Sequence, residues 1–210
     1  MMQKQILVAG ALACTWTGAS QALEVTANGG FMSEYVFRGI LQKESSAYGG
    51  LDLDLNGFYL GTWAADVGEG LEVDLYGGYA SEVGDFSYGI GATGYFYTDD
   101  FDDTYRELNL SAGWKFLTLD AAFGEYENFD EPKQRYTFLS ATVEHLGFYG
   151  TLGSFSRDFD GEYVEVGYGN TFEPIGVDYT LSFIHSNKDL LGDAKDNTIV
   201  LSIGKSFTLK

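Results

Sequence analysis

Carboxylates recur at alternate positions along this chain, and that spacing is the first clue to its chemistry. Asp52 and Asp54, then Glu72 and Asp74, are separated by single apolar residues. Glu34, Glu107, Asp120, Glu144, Glu165 and Asp178 fall in similar short alternating segments, together with Arg38 and Lys115. Residues two apart in an extended strand share a face, so these side chains would project from one side of a sheet. If that side lined a water-filled passage, its carboxylates would raise the local cation concentration and repel anions. Arg38 and Lys115 could pair with neighbours and narrow the path. The competing reading is that the charges are solvated or mutually satisfied inside a plugged structure.

Two other chemistries compete with this one. The runs Thr98 to Asp103 and Asp158 to Glu162 cluster oxygen ligands. Asp99, Asp100, Asp102, Asp158 and Asp160 could hold Ca²⁺ or Mg²⁺, but the remaining spacing of a calcium loop is absent. Solvated loops, at most bridged loosely through divalent cations to lipopolysaccharide phosphates, are the simpler expectation. A hydrolase needs a nucleophile, a base and an orienting group within reach of one another. There are two histidines, His145 and His185, each in an alternating apolar segment, and no Gly-x-Ser-x-Gly motif. The stretch Gly89 to Gly94 opens no helix that would make it a phosphate cradle. Neither an enzyme nor a cofactor is expected.

The elements that would position these residues are strands. Candidate strands fall at roughly 24–37, 46–55, 58–67, 71–81, 86–98, 104–115, 117–127, 136–145, 148–157, 162–171, 175–186 and 197–209; several show clean period-2 alternation, while 86–98 and 148–157 are Gly-rich and ambiguous in facing. In one, Leu71, Val73, Leu75 and Tyr79 oppose Glu72, Asp74 and Tyr76; in another, Leu108, Leu110, Ala112, Trp114 and Phe116 oppose Tyr105, Glu107, Asn109, Ser111 and Lys115. Short connections such as Asn56-Gly57 alternate with longer acidic ones, including 39–45, 66–70, 98–103, 128–135, 157–161 and 187–196. That is the pattern of an up-and-down barrel with turns at one end and loops at the other, and it requires an even strand count. The expected fold is all-β: a transmembrane antiparallel up-and-down β-barrel of about twelve strands, with ten or eight as alternatives. Pro132 and Pro174 both fall in connections, as they should.

The N-terminus reads as an export signal over residues 1–22, with Lys4, an apolar stretch from Ile6 to Ala13 and small residues at Ser20 and Ala22. Residues 23–210 would form the barrel. A rival reading makes Cys14, the single cysteine, a lipidation site. No apolar run approaches the ~20 residues of a transmembrane helix. The net charge of −19 argues against nucleic acid as a partner, and 16 Phe with 15 Tyr argue against a disordered acidic chain.

Alternation alone does not say which face of a barrel is apolar, since a soluble barrel alternates equally well. Three features favour the membrane version: export without a disulfide framework, aromatics at strand ends, and the C-terminus. Phe58, Phe116, Phe148, Phe172 and Phe207 sit near short turns; Tyr35, Phe37, Tyr79, Phe96 and Phe138 are expected in a second girdle near the loops. The closing segment, with Ser202, Gly204, Phe207 and Leu209, resembles the signature by which the barrel-assembly machinery recognises its clients. It departs from that signature in ending one residue later, at Lys210, and in carrying Leu209 where an aromatic is commoner. Lys205 falls on the apolar face near the edge, where it could snorkel.

The chain also resembles the TorF-type porin family, a Gram-negative domain long catalogued as of unknown function. The resemblance rests on Ser33-Glu34-Tyr35-Val36-Phe37-Arg38-Gly39-Ile40, Gly49-Gly50-Leu51-Asp52-Leu53, Gly57-Phe58-Tyr59-Leu60-Gly61-Thr62-Trp63, Glu72-Val73-Asp74-Leu75-Tyr76-Gly77-Gly78-Tyr79 and Leu201-Ser202-Ile203-Gly204-Lys205-Ser206-Phe207. It implies an integral outer-membrane barrel and a pore, but no particular solute, because fold does not fix function. The expected activity is passive diffusion of small, preferentially cationic or neutral solutes, with outer-membrane lipids and lipopolysaccharide as surroundings. The alternative is an occluded barrel with a structural or surface-interaction role through its acidic loops.

Overall fold

The computed structural model describes residues 22–191 and 196–209. Apart from Ala22, the expected leader and Cys14 lie outside them. The strands are β1 (Glu24–Phe37), β2 (Ile40–Leu55), β3 (Phe58–Gly68), β4 (Gly70–Val83), β5 (Phe86–Tyr97), β6 (Tyr105–Trp114), β7 (Leu117–Tyr126), β8 (Gln134–His145), β9 (Phe148–Arg157), β10 (Gly161–Phe172), β11 (Val177–Ser186) and β12 (Asn197–Leu209). One short helix, α1 (Lys188–Leu191), follows β11. Each strand pairs antiparallel with its sequence neighbours, and β1 pairs with β12 from Val25↔Leu209 to Met32↔Ser202, closing the barrel. No helix among the described residues is long and apolar enough to cross a membrane; the strands are the spanning elements.

The two ends differ. The turn end holds the start of β1, the end of β12 and the connections at 56–57, 84–85, 115–116, 146–147 and 173–176. The loop end holds those at 38–39, 69, 98–104, 127–133, 158–160 and 187–196. The expected long connection at 39–45 is instead strand: β2 begins at Ile40, and the turn is only Arg38-Gly39, with φ of 49° and 83°. Both values are positive, the requirement of a tight two-residue hairpin turn. At Gly39 a Cβ would also meet Tyr163 at 2.7 Å. The polar stretch Gln42 to Ser46 hid the strand because the alternation breaks there: Ser45 has φ 67° and the β1–β2 register shifts between Tyr35 and Val36.

The outside is apolar. Phe58, Leu152 and Ile199 are 65%, 64% and 63% exposed, and Leu60, Leu75, Ile90, Leu119, Leu139, Leu181 and Leu201 are exposed as well. The inside is polar and aromatic, with Glu72, Asp74, Thr93, Glu107, Thr151, Glu165, Thr180, Ser182 and Ser202 buried. This is the inverse of a soluble barrel, whose exterior must satisfy water. An exterior of this kind is stable only against lipid. Inside, tyrosines lie flat over glycines of the neighbouring strand. Tyr136 packs so closely on Gly124 that a Cβ there would come within 2.1 Å of its ring, so the glycine makes room for the ring.

Of the two expected girdles, the one at the turn end forms. Phe58 packs on Tyr79 at 4.9 Å and Phe148 on Tyr168 at 4.8 Å. The girdle expected at the loop end does not. Tyr79 belongs to the turn end through its pairing with Phe58. Tyr35, Phe37 and Phe138 point inward, and of that set Phe96 faces out. A strand-end aromatic suits a headgroup region or a lumen equally well, and facing decides between them.

Candidate functional site

The interior divides into two halves. At the loop end it is packed with rings. Tyr105 stacks on Tyr126 at 4.2 Å, Phe159 from the β9–β10 connection stacks on Tyr136 at 4.8 Å, and Tyr35 meets Trp63 edge-on at 5.6 Å. The β1–β2 hairpin bends into this half, and its tip crosses to the opposite wall. Ile40 packs against a cluster of Ala122, Tyr136, Phe138 and Phe155; Val36 packs with Ile184 and Val200. The break in alternation around Ser45 and Tyr35 produces the bend, as extra residues in a ladder do.

Arg38, at the tip, donates to Glu107 on β6 through both terminal guanidinium nitrogens, at 2.5 and 3.0 Å. Phe37 and Phe138 hold that guanidinium between their faces at 4.7 and 4.3 Å. Glu107, only 4% exposed, also accepts from Tyr95 at 3.0 Å, Tyr136 at 2.7 Å and Asn109 at 2.8 Å. Forked contact to a carboxylate with the remaining lone pairs filled is the geometry in which a buried ion pair is held best. Ser186 on β11 donates to the Gly39 carbonyl at 2.7 Å, a second tie on the same turn. Tyr35 donates to buried Glu72 at 2.8 Å. Asp74 beside it is buried, and its Oδ1 has no hydrogen-bond partner among the described residues.

The turn half carries the other carboxylates, half-exposed among small side chains. Asp52 accepts from Tyr76 at 2.5 Å and from Asn28 at 3.2 Å. Asp178 accepts from Thr171 at 2.6 Å. Asp54 shares the face of Asp52, Glu144 lies opposite inward Tyr149, and Asp120 lies between Ser111 and Ser140. Glu165, near mid-height and buried, accepts from Tyr149 at 2.6 Å.

Two residues expected on this interior face are elsewhere. Glu34 lies next to inward Tyr35 and opposite exposed Glu44, on the outer side, because the alternation breaks between Met32 and Tyr35. Lys115 is a turn residue at φ 55°, exposed, 3.7 Å from Asp85 and over the Trp114 ring. The turn between β6 and β7 takes it off the strand.

The acidic connections use their carboxylates on their own chain. Asp102 accepts from Tyr105 and Tyr126, Asp158 from the Arg135 amide, Asp160 from the Gly161 amide and Asp99 from Thr98. No group of three or more such side chains is placed to hold a metal ion among the described residues. On the outer surface at the loop end, Lys133 bridges Glu125 and Glu127, and Arg106 pairs with Glu127. The Lys133 ammonium, followed by Arg106, holds the Glu127 carboxyl below its ordinary range.

Reading the carboxylates from sequence missed the ring of hydroxyls around them. Tyr136 stands at the same strand parity as Glu144, and that parity was the available signal; for Tyr35 the parity misled, because it set neighbouring Glu34 inward. Lys205 reaches the Ile175 carbonyl at 2.7 Å in the neighbouring turn while lying near Phe207. It thus draws its charge to the barrel edge.

Closure of twelve antiparallel strands, an apolar outside and a polar inside define a membrane-spanning β-barrel that resembles outer-membrane porins. Within that class the chain belongs to the Gcw_chp family, bacterial proteins of unknown function, whose model matches residues 16–207. Among solved structures it is similar to a chain from work on the in-meso crystallization of membrane proteins, with a TM-score of 0.60 and 10% identity over 89% of this chain and 84% of that one. OccK1 (OpdK) of Pseudomonas aeruginosa gives 0.45 at 15% identity, covering 80% of this chain and 58% of that one. A BenF-like porin from Pseudomonas fluorescens Pf-5 gives 0.42 at 11% identity, covering 88% and 64%. No curated protein matches the sequence.

Proposed function

We propose that this protein is an integral outer-membrane channel of the TorF porin type, passing small neutral or cationic solutes by diffusion. On this reading it is exported by a leader cut after Ala22. The barrel-assembly machinery then inserts it by way of Ser202, Gly204, Phe207 and Leu209, in contact with lipid and lipopolysaccharide. The observation that carries the proposal is the charge of the turn half. Asp52, Asp54, Asp120, Glu144 and Asp178 are half-exposed on the inner face, while the Arg38 charge is taken up by Glu107. Fixed carboxylates in a low-dielectric wall favour cations in the passage.

The test is single-channel recording of the refolded barrel in a planar bilayer, with reversal potential under a salt gradient. Discrete steps with cation preference support the proposal. A heat-modifiable, folded barrel that never conducts overturns it. The second reading, an occluded barrel acting through its surface, is favoured by one observation: rings and the β1–β2 tip fill the loop half. Small barrels are filled by their side chains and open channels are wide; twelve strands lie between.

A further inference from the structure

We infer that the Arg38-Gly39 turn is a releasable plug and that the Arg38–Glu107 pair is its latch. The inference rests on the channel reading for its consequence, but not for its geometry. The segment Ser33 to Ile40 stood out in the sequence, and nothing about an apolar barrel wall requires its polar tip. The structure gives that tip a place: it leaves the wall where the alternation breaks and lies across the lumen.

Its ties are few and specific. One is the forked ion pair to Glu107, and the other is the Ser186 bond to the Gly39 carbonyl. Glu107 is prepared for Arg38, because Tyr95, Tyr136 and Asn109 hold the carboxylate in place. The turn is only two residues long, so it moves as a unit with the ends of β1 and β2. The packed contacts it gives up are Val36 and Leu41 beside Ile184 and Val200, Gly39 under Tyr163, the Arg38 guanidinium on Phe138, and Ile40 on the cluster of Ala122, Tyr136, Phe138 and Phe155. Removing the guanidinium or neutralising Glu107 should therefore free the tip without opening the wall. Lysine at 38 keeps the charge but cannot make the fork.

Arg38→Ala, Arg38→Lys and Glu107→Gln are to be compared with wild type in two readouts. The first is bilayer conductance, where both Arg38→Ala and Glu107→Gln should raise open probability by about 5- to 150-fold, the usual range for a coupling of this kind. Arg38→Lys should fall between. The second is labelling of Ile184→Cys by a water-soluble thiol reagent in the refolded barrel of residues 23–210, which holds no other cysteine. Ile184 is buried beneath the turn, so labelling should be slow in the latched barrel and faster with Arg38→Ala.

Heat-modifiable mobility identifies folded barrels, and Glu107→Gln serves if Arg38→Ala does not fold. Equal conductance and equal labelling in all four overturn the latch and leave the channel reading standing. Faster labelling without conductance in any variant supports the latch and overturns the channel. Slow labelling throughout, with no conductance, overturns both.

Discussion

The two halves of the lumen solve the same problem in different ways. Both must hold carboxylates inside a wall whose outside is lipid. At Glu107 in the loop half the answer is saturation: it has four donors and lies among rings, while Asp74 in the same half keeps one oxygen without a partner among the described residues. In the turn half it is accessibility: Asp52, Asp54, Glu144 and Asp178 keep part of their surface open beside small residues. A carboxylate can be kept charged in a low-dielectric interior only by partners or by water. Around Glu107, where the chain brings aromatics inward, it supplies partners; where it brings glycine and serine inward, the carboxylates stay accessible.

The largest expected effect that tests this contrast is on Glu107. Glu107→Ala strands Arg38 and two tyrosine hydroxyls and should cost about 3 kcal/mol of stability, read from denaturant unfolding of the barrel in detergent. A cost below about 1 kcal/mol, the scale of an exposed pair, would mean that the loop half is wet and the contrast false. Next is a matched pair of hydroxyl deletions. Tyr136→Phe removes a bond to buried Glu107 and should cost about 1.5–3 kcal/mol. Tyr76→Phe, whose partner Asp52 is open to water, should cost about 1 kcal/mol or less. Equal losses would erase the distinction between the halves.

Selectivity offers a finer probe. Asp52→Asn with Asp54→Asn should shift the reversal potential towards zero selectivity, while Glu72→Gln with Asp74→Asn, buried beside Tyr35, should shift it less. The reverse order would put the solute path along β4 in the loop half. The smallest effect is outside the lumen. Glu127→Gln breaks surface pairs with Lys133 and Arg106 and should leave the unfolding midpoint within error at neutral pH and physiological salt. Because those cations depress the Glu127 carboxyl, whatever it contributes is present above the ordinary glutamate range of about 4.3 and lost as pH falls through the depressed value. A midpoint at pH 7 that tracks salt strongly would show that this network matters more than exposure suggests.

The barrel itself was legible because period-2 alternation survives in nearly every strand. Leu71, Val73 and Leu75 against Glu72 and Asp74 can be read in only one way once the segment is extended. Most turn positions follow from the same pattern, as does β1 at 24–37, while closure decides on twelve strands where the pattern also allowed ten or eight. Arg38 was legible as a residue of note, but not its partner. Glu107 lies 69 positions away, and nothing local to either says that the β1–β2 tip crosses the lumen.

What the sequence determined by itself, then, is the alternation: that neighbouring side chains take opposite faces of short strands, and that the acidic face opposes an apolar one. Local sterics and burial act over two or three residues, and those are written in the chain. The tertiary structure alone decided which strand-end aromatics turn inward, that Glu34 and Lys115 leave the lumen face, and that a two-residue turn reaches across to Glu107. Each depends on where closure of the barrel brings distant strands together and on a break in alternation at Ser45 that no periodic pattern can announce.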